Sequence, residues 1–369
     1  MSEGGGLDVQ IRQTAPIPLD ARLTCAPGEV LALVGPSGGG KSTLLRAVAG
    51  AWRPPSGRVT VGSETWFDAE AGIHVAAHLR RVGMVFQNYA LFPHMTALGN
   101  VAAALGHVPR GDRDARARAL LGQVHLTGLE DRLPSALSGG QQQRVAVARA
   151  LARTPKVLLL DEPFSAVDKA TRQRLYREIA DLRRGLAMPV VLVTHDLDEA
   201  MMLADRMTVL HRGRTLQTGT PEQVATRPVS TEVARLVDQR NLFRGTIELH
   251  GLDATILRWA GLALETAPRP EVPAGEVVDW LVPDGHVVLH RRDRPSRGEH
   301  ENPVTGRVEA VLTFGQSASV TLRPDADPTL PIQFSVPLHV ARRNGLEPGV
   351  QATVSLLASG IHLMPEPAG

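Results

Sequence analysis

Short apolar runs alternate with helical patterns along the first two thirds of the chain. Three such runs lie within Gly28–Gly35, Lys156–Pro163 and Pro189–His195, each bounded by polar or turn residues. Helical patterns follow over Lys41–Ala51 and Leu197–Ala204. Because a strand buried on both faces loses the alternation of apolar and polar positions, this pattern predicts a parallel sheet covered by helices.

The pattern changes after about Asn241. Short segments such as FRGTIEL, GRVEAVLTF, ASVTLRP and IQFSVPL recur with turn residues between them, which is typical of small β-barrels or sandwiches. Between them, His290–Pro303 is almost free of apolar residues and intersperses acids and prolines among its arginines. We interpret it as a solvated linker rather than a nucleic-acid patch, joining two β halves of a degenerate repeat, roughly 241–291 and 302–366. Trp259 and Trp280 are predicted to lie in the β core rather than to stack on a ligand.

Composition narrows the class of protein. A chain of 369 residues fits two domains, and 40 basic against 38 acidic residues give no reason to expect a nucleic-acid or acidic membrane partner. Cys25 is the only cysteine, so no intrachain disulfide forms, which suits a reducing compartment. Val82–Pro109 lacks charged residues, but polar residues and prolines interrupt it, and we predict no transmembrane helix or signal peptide. A pore, if one is needed, must come from another polypeptide.

A phosphate-binding pattern follows the first apolar run. GPSGGGKS (Gly35–Ser42, the phosphate loop) fits G-x-x-x-x-G-K-[S/T] and lies between a predicted strand and helix, which disfavours a fortuitous glycine-rich turn. Lys41 would reach the β- and γ-phosphates of ATP, Ser42 would bind Mg²⁺, and Thr43 would touch the α-phosphate. The candidate nucleotide ligands here are Gly35, Pro36, Ser37, Gly38, Gly39, Gly40, Lys41, Ser42 and Thr43.

An acidic pair ends the second apolar run. Asp161 is placed to hold Mg²⁺ through water, and Glu162 to polarise the attacking water. The alternative is a solvent-facing pair, which an upstream phosphate loop disfavours. These two motifs alone would suit a kinase, a GTPase or a helicase equally well.

LSGGQQQR (Leu137–Arg144) distinguishes these classes, because with it the sequence resembles the ABC ATPase family. In that family the motif opens a helix in a helical subdomain. The resemblance implies that Ser138, Gly139, Gly140 and Gln141 contact the γ-phosphate bound by the opposite protomer of a dimer. The plainer interpretation is a helix cap, for which Ser138 is well suited.

Further segments match the family in chain order, and the resemblance spans roughly residues 7–235. Gln87 in GMVFQN matches the family's glutamine loop, Asp168 in SAVD the D-loop that crosses the dimer interface, and His195 in LVTHD the switch histidine. The resemblance thus implies three catalytic residues, Glu162, His195 and Gln87. The implied metal ligands are Ser42, Gln87 and Asp161.

One family feature is missing. Many members stack an aromatic side chain on adenine, but residues 7–27 contain no Phe, Tyr or Trp. Either Ile17 or Pro18 packs on the base, or the base is held weakly.

His74 and His78 are spaced four residues apart, but with no third ligand in view we expect them on the surface rather than at a metal site.

The resemblance implies an α/β P-loop NTPase over residues 1–238, with a helical subdomain at about 88–145, followed by an all-β, OB/TOBE-like regulatory domain over 239–369. About fifty residues separate Gln87 from Leu137, too few for the coiled coil of the chromosome-maintenance relatives. A single cassette argues against the translation factors, and the lack of a fused span against typical exporters. A non-transport ABC ATPase of the DNA-repair or translation type is therefore the alternative class.

The expected function is the ATPase subunit of an ABC importer, with ATP and Mg²⁺ as cofactors. The implied partners are a second copy of the chain, integral membrane permease subunits and, indirectly, a periplasmic or extracellular binding protein, but no nucleic acid. The expected location is peripheral, on the cytoplasmic face of the plasma membrane. The permease would dock near Gln87 and the loop Tyr89–His94, whose YALFPH sequence would expose apolar residues. The amino-acid sequence of Trp66–Val101 resembles that of the ATPases of molybdate importers. Sulfate, ferric iron, polyamine or sugar importers are the alternatives.

Overall fold

A computed structural model describes residues 5–15, 17–165, 172, 176, 185–291 and 301–364. The chain divides into two compact units, Met1–Pro221 and Glu222–Gly369. The domain boundary expected between residues 238 and 239 stays a prediction, namely that a protein truncated near Asp238 keeps a folded ATPase domain. In the described part of the chain, no helix is both long and apolar enough to cross a membrane.

The first unit is built on one large sheet with helices around it. Its described strands occur in the spatial order β6-β5-β4-β1-β2-β11-β10-β3-β9-β8-β7. The strands are β1 (Leu7–Gln13), β2 (Leu19–Cys25), β3 (Val30–Val34), β4 (Ser56–Val61), β5 (Glu64–Asp68), β6 (Ile73–His74), β7 (Val82–Val85), β8 (Val157–Asp161), β9 (Val190–Thr194), β10 (Arg206–His211) and β11 (Arg214–Gly219). The helices of the described residues are α1 (Lys41–Ala49), α2 (Ala97–Ala102), α3 (Arg110–Gln123), α4 (Gly139–Leu151) and α5 (Leu197–Leu203), with 3₁₀ turns at Ala77–Leu79 and Pro134–Ala136.

The parallel part of this sheet carries the candidate site. Strands β10, β3, β9, β8 and β7 pair in parallel, and every residue of β3 and β9 is buried. The predicted parallel sheet is therefore confirmed. The carboxyl ends of parallel strands meet at one edge, where ligands bind in open α/β sheets. Gly35, Glu162 and His195 follow β3, β8 and β9 at that edge.

The helices α2, α3 and α4 pack on one another beside the sheet. Apolar side chains of all three, including Leu98, Leu121 and Val145, belong to one buried cluster. Asn100 is buried within it and donates to the carbonyls of Phe92, Met95 and Thr96. This amide holds the loop that precedes α2. The helix α4 continues past the expected end of the helical subdomain to Leu151, because its second half is also buried.

The second unit contains two five-stranded sheets, in the orders β14-β13-β12-β15-β21 and β16-β20-β17-β18-β19. Its strands are β12 (Leu242–His250), β13 (Thr255–Trp259), β14 (Leu262–Thr266), β15 (Val277–Leu281), β16 (Val287–Leu289), β17 (Glu301–Phe314), β18 (Ser317–Pro324), β19 (Ile332–Pro337), β20 (Gln351–Leu357) and β21 (His362–Met364). Its described residues also form all but the first residue of helix α6 (Pro221–Thr226), helices α7 (Thr231–Leu236) and α8 (Leu338–Arg343), and 3₁₀ turns at Asp284–His286 and Ala358–Gly360. The predicted all-β character is confirmed.

The two halves of this unit exchange strands. β16, from the first half, pairs with β20, and β21, from the second half, pairs with β15. Residues 241–291 and 302–366 are therefore not separate sheets, and one apolar cluster serves both. Trp259 and Trp280 lie fully buried in that cluster, as predicted, with ring centroids 5.4 Å apart. The predicted linker was too long, because Glu301–Pro303 belongs to β17 and Asn302 is buried; residues 292–300 lie outside the described residues.

Candidate nucleotide-binding site

The phosphate loop adopts backbone angles that favour glycine. Gly35, Gly38 and Gly40 have φ values of 146°, 79° and 99°. A Cβ atom on Gly35 would lie 2.0 Å from the carbonyl oxygen of Leu210, which no side chain tolerates. Gly40 is the N-cap of α1, so the loop runs directly into a helix N-terminus. Such a terminus presents free N–H groups and a favourable dipole to an anion.

Lys41 lies along the inside of this loop. Its side chain is only 5% exposed, and Nζ donates to the carbonyl oxygens of Gly35 at 2.7 Å and Pro36 at 2.9 Å. Burial lowers the pKa of Lys41, while the nearby carboxylates Glu162 and Asp161 act to raise it. The ammonium group is therefore bonded to the phosphate loop and interacts with the charges of the acidic pair.

Ser42 and Asp161 form a pair of oxygen ligands. The Ser42 hydroxyl donates to Asp161 Oδ1 at 3.1 Å. Burial raises the pKa of Asp161, although the bond from Ser42 lowers it in part. Hydroxyl and carboxylate oxygens are the donors that Mg²⁺ prefers, and a cation would offset the cost of burying the carboxylate. The residues present therefore fit a magnesium ion.

Glu162 is the centre of a second cluster. Its Oε2 atom accepts from Gln87 Nε2 at 3.3 Å and lies 3.3 Å from His195 Nδ1. Glu162 has a φ of 44°, an uncommon conformation for a residue with a side chain, and its N–H donates to Val193 O at 3.0 Å. The structure thus brings together the three residues expected to be catalytic, from three separate segments. Ser165 supports the turn by donating its hydroxyl to Glu162 O at 3.0 Å.

The LSGGQ turn stands apart from these clusters. Ser138 is exposed and caps α4: its Oγ accepts from the Gln141 N–H at 3.3 Å, while its own N–H donates to Gln141 Oε1 at 2.9 Å. Gly139 is half-buried and Gly140 buried. Among the residues that the structure describes, no hydrogen bond of this turn reaches the phosphate loop or Glu162. Its predicted contact with a nucleotide stays a prediction, as does that of half-buried Thr43. Asp168 lies outside the described residues.

The segment before β2 supplies candidates for holding a base. Ile17 and Pro18 are exposed, and Gln13 Nε2 donates to Ile17 O at 2.6 Å. The next residue, Leu19, approaches the phosphate loop so closely that a Cβ on Gly40 would meet its Cδ2 at 2.6 Å. Ile17 and Pro18 therefore lie within a few residues of a contact with the phosphate loop.

The expected docking loop, Tyr89–His94, is only partly as predicted. Phe92 and the preceding Phe86 are 44% and 43% exposed, but Tyr89 is 4% exposed and packs into the helical core. Its inward turn requires a left-handed φ of 59°, which sequence patterns do not reveal.

The histidines at 74 and 78 are exposed, and in the described part of the chain no group of three metal-ligating residues occurs.

Sequence reasoning missed Arg149, in the last turn of α4. Its Nη1 and Nη2 donate to the carbonyl oxygens of Ala90 at 2.7 Å and Tyr89 at 2.8 Å, and its Cζ lies 5.7 Å from the Phe92 ring centroid. Burial lowers the pKa of Arg149. The only available signal was an arginine at the end of the motif helix. Such a position ordinarily suggests interaction with the helix dipole rather than a contact with another loop.

Comparison with known proteins identifies the family. Residues 19–165 match the family model described as ABC transporter. The chain is 37% identical over 348 residues to a sulfate/thiosulfate import ATP-binding protein of Chromobacterium violaceum, covering 94% of this chain and 90% of that protein. It is 39% identical over 305 residues to a spermidine/putrescine import ATP-binding protein of Oleidesulfovibrio alaskensis, covering 81% and 79%. The solved structure of cbiO1 from Clostridium perfringens, described as part of the ABC transporter complex cbiONQ, matches with a TM-score of 0.53 and 28% identity over 63% of this chain and 94% of that one.

A relative that is 37% identical aligns over 94% of the chain, and Gln87 and His195 both contact Glu162 at the end of β8. We therefore conclude that the chain belongs to the ABC transporter family and is one of its ATP-binding chains, an ATPase with an all-β C-terminal unit.

Proposed function

We propose that this chain is the ATP-hydrolysing subunit of an ABC importer. One observation carries the proposal. Gln87 Nε2 and His195 Nδ1 each lie 3.3 Å from Glu162 Oε2, and the preceding residue, Asp161, pairs with Ser42. A carboxylate held between an amide and an imidazole at the end of a parallel strand is placed to bind and activate water. The import direction is supported by the two relatives, both of which are import ATP-binding proteins.

Phosphate binding, proton acceptance and orientation of the water are assigned to different residues. The N–H groups of the phosphate loop and the Lys41 ammonium bind the phosphates, and Glu162 accepts a proton from the water that attacks the γ-phosphorus. The bond from the γ-phosphorus to the oxygen retained by ADP breaks, and the proton leaves with the products. Gln87 and His195 orient the water and Glu162. Mg²⁺, held by Ser42, Asp161 and Gln87, would neutralise phosphate charge.

We further propose a homodimer with composite sites. Ser138, Gly139, Gly140 and Gln141 would complete the partner's nucleotide site, and Asp168 would cross the interface. Support comes from the exposure of Ser138 and from the lack of any described hydrogen bond between this turn and its own chain's phosphate loop. A capped, outward-facing helix N-terminus suits a phosphate brought by another molecule.

The membrane permease would dock on the surface formed by Phe86 and Phe92. Both phenylalanines are exposed, and they lie immediately before and five residues after Gln87 in the chain. The solved relative, described as part of an ABC transporter complex, supports a partner of this kind. The chain would then lie peripherally on the cytoplasmic face of the membrane, with a substrate-binding protein on the other side as an indirect partner.

The comparisons favour the alternative substrates over molybdate. Neither relative named here is a molybdate protein, so the expectation drawn from Trp66–Val101 is not supported. We propose sulfate or thiosulfate first, because the match to the sulfate/thiosulfate protein extends over 94% of this chain. A polyamine is the second candidate, on the spermidine/putrescine relative. The β unit would act as a regulatory domain.

The test has two parts. Phosphate release from ATP and Mg²⁺ should be lost in Glu162→Gln and kept in Glu70→Gln, an exposed acid outside the site. Activity in both variants would contradict the assignment of the site. Deletion of the gene should then abolish uptake of labelled sulfate, but not of labelled spermidine; the reverse result would establish the polyamine, and loss of neither would reject both substrates.

A further inference from the structure

The first turn of α5 contains a buried acid that the proposed chemistry does not use. Glu199 is only 4% exposed. Its carboxylate accepts a hydrogen bond from the Thr194 hydroxyl at 2.5 Å and another from the Tyr176 hydroxyl at 3.1 Å. Burial raises the pKa of Glu199, and these two hydrogen bonds act against that shift. Burying an ionisable group this deeply costs free energy, which hydrogen bonds such as these two offset.

These bonds fix the backbone on both sides of His195. Thr194 not only donates to Glu199 but also accepts from the N–H of Asp196 at 3.0 Å. Asp196 in turn caps α5, since its Oδ1 accepts from the N–H groups of Asp198 at 2.9 Å and Glu199 at 3.4 Å. Thr194, before His195, is thus bonded directly to Glu199. Asp196, after His195, is connected to the Glu199 carboxylate through the Thr194 hydroxyl. The His195 ring itself is 57% exposed and has little packing to hold it.

The same acid is connected to the segment that carries Glu162. Tyr176, which donates to Glu199, packs edge-on against Phe164 with ring centroids 4.8 Å apart and an interplanar angle of 88°. Phe164 is fully buried and lies two residues after Glu162. Arg172 pairs with Asp196 at 3.2 Å. Both partners of the 3.3 Å contact between His195 and Glu162 are therefore connected to one buried carboxyl group.

We propose that Glu199 is a positioning residue, which holds His195 against Glu162 by fixing Thr194 and Tyr176. The proposal rests on the function proposed above for His195. A merely structural role predicts something different. Glu199 would then stabilise the fold, and its loss would lower activity to the same extent whether or not His195 is present.

A double-mutant cycle separates these two roles. Glu199→Ala should lower kcat about tenfold or more and change KM for ATP less than about twofold, because the phosphate loop is untouched. In a His195→Ala background, measured by single-turnover hydrolysis, the same substitution should lower the rate less than about twofold. Glu199→Gln keeps the shape, and its amide oxygen can accept from one hydroxyl while its NH2 group donates to the other, so it should retain kcat within about threefold. Asp198→Ala, which removes an exposed acid of the same turn, is the matched control and should be neutral.

Each outcome decides a different point. Equal losses in the two backgrounds would overturn the positioning role while leaving His195 intact as a catalytic residue. Full activity of His195→Ala would instead overturn the proposed function of that histidine, and the positioning role with it. Should Glu199→Ala fail to fold, Thr194→Val removes the linking hydroxyl with little change of shape, and the same dependence on His195 is expected.

Discussion

Arg149 bonds to two successive carbonyl groups of one loop, donating to Ala90 O at 2.7 Å and to Tyr89 O at 2.8 Å. Both loop residues have left-handed backbone angles, with φ of 46° and 59°. These carbonyls follow Gln87 within three residues, whereas Arg149 lies in the last turn of α4, the helix that Ser138 caps. One side chain therefore links the glutamine loop to the helix that carries the LSGGQ turn.

Arg149→Lys should weaken this link while keeping the charge. A lysine ammonium lacks the planar fork that reaches two carbonyls at once, so the loop loses a bond and Gln87 becomes less well placed. We expect kcat to fall about three- to tenfold, with little change in KM for ATP. Hydrogen exchange of the segment 86–94 should rise in parallel.

Arg153→Lys is the control for that change. Arg153 lies beside the end of α4 but donates to His78 O at 2.9 Å, away from the glutamine loop. It should leave both kcat and the exchange of 86–94 unchanged. Equal effects of the two substitutions would show that any arginine at this helix end suffices.

Glu162→Gln should stop hydrolysis but keep ATP bound. The amide retains the size of the carboxylate and cannot accept the proton of the water. The protein should therefore collect as an ATP-bound dimer, which light scattering with ATP and Mg²⁺ measures directly. A variant that stays monomeric under these conditions would contradict the composite-site proposal.

The role of Ser138 can be separated from its capping role by comparing Ser138→Asp with Ser138→Asn. Both residues are good N-caps, so α4 should lose little of the ~1 kcal/mol that a cap contributes. Only the aspartate would repel a γ-phosphate, and it should lower kcat at least about tenfold more than asparagine does. Binding of a fluorescent ATP analogue to the monomer should be the same for both. If the aspartate abolishes monomer binding, the turn serves its own chain's site.

Ile17→Tyr should strengthen ATP binding. Ile17 is 39% exposed, and an aromatic ring at this position could stack on adenine, a contact worth ~1–3 kcal/mol per base in nucleic-acid complexes. Calorimetry should show tighter binding of ATP but not of tripolyphosphate, which has no base. Ile73→Tyr, at a position that is also 39% exposed, is the control. Unchanged ATP affinity in Ile17→Tyr would place the base elsewhere.

Much of the first unit could be predicted because its signals are local. The phosphate loop combines a buried strand, glycines with positive φ and a helix start within Gly28–Ala51. The capping box of Ser138 and Gln141 likewise spans four residues. Such features depend on backbone sterics and near-neighbour hydrogen bonds, which a short stretch of sequence specifies.

The β unit shows where local signals end. Its strands and its buried Trp259 and Trp280 were predictable from alternating side chains and turn residues. The exchange of β16 and β21 between the two sheets was not predictable. A strand with one apolar face shows the same alternation of side chains whichever neighbouring strand it pairs with.

The sequence by itself determined the class of the protein, its phosphate loop and the order of its motifs. Only the tertiary structure decided that Gln87 and His195 meet on one oxygen of Glu162, that Arg149 bonds to the loop after Gln87 and that Glu199 bonds to Thr194, next to His195. These residues come from segments far apart in the chain. Their contacts depend on how strands and helices pack, and no periodicity of apolar and polar positions encodes which long-range partners a side chain will find.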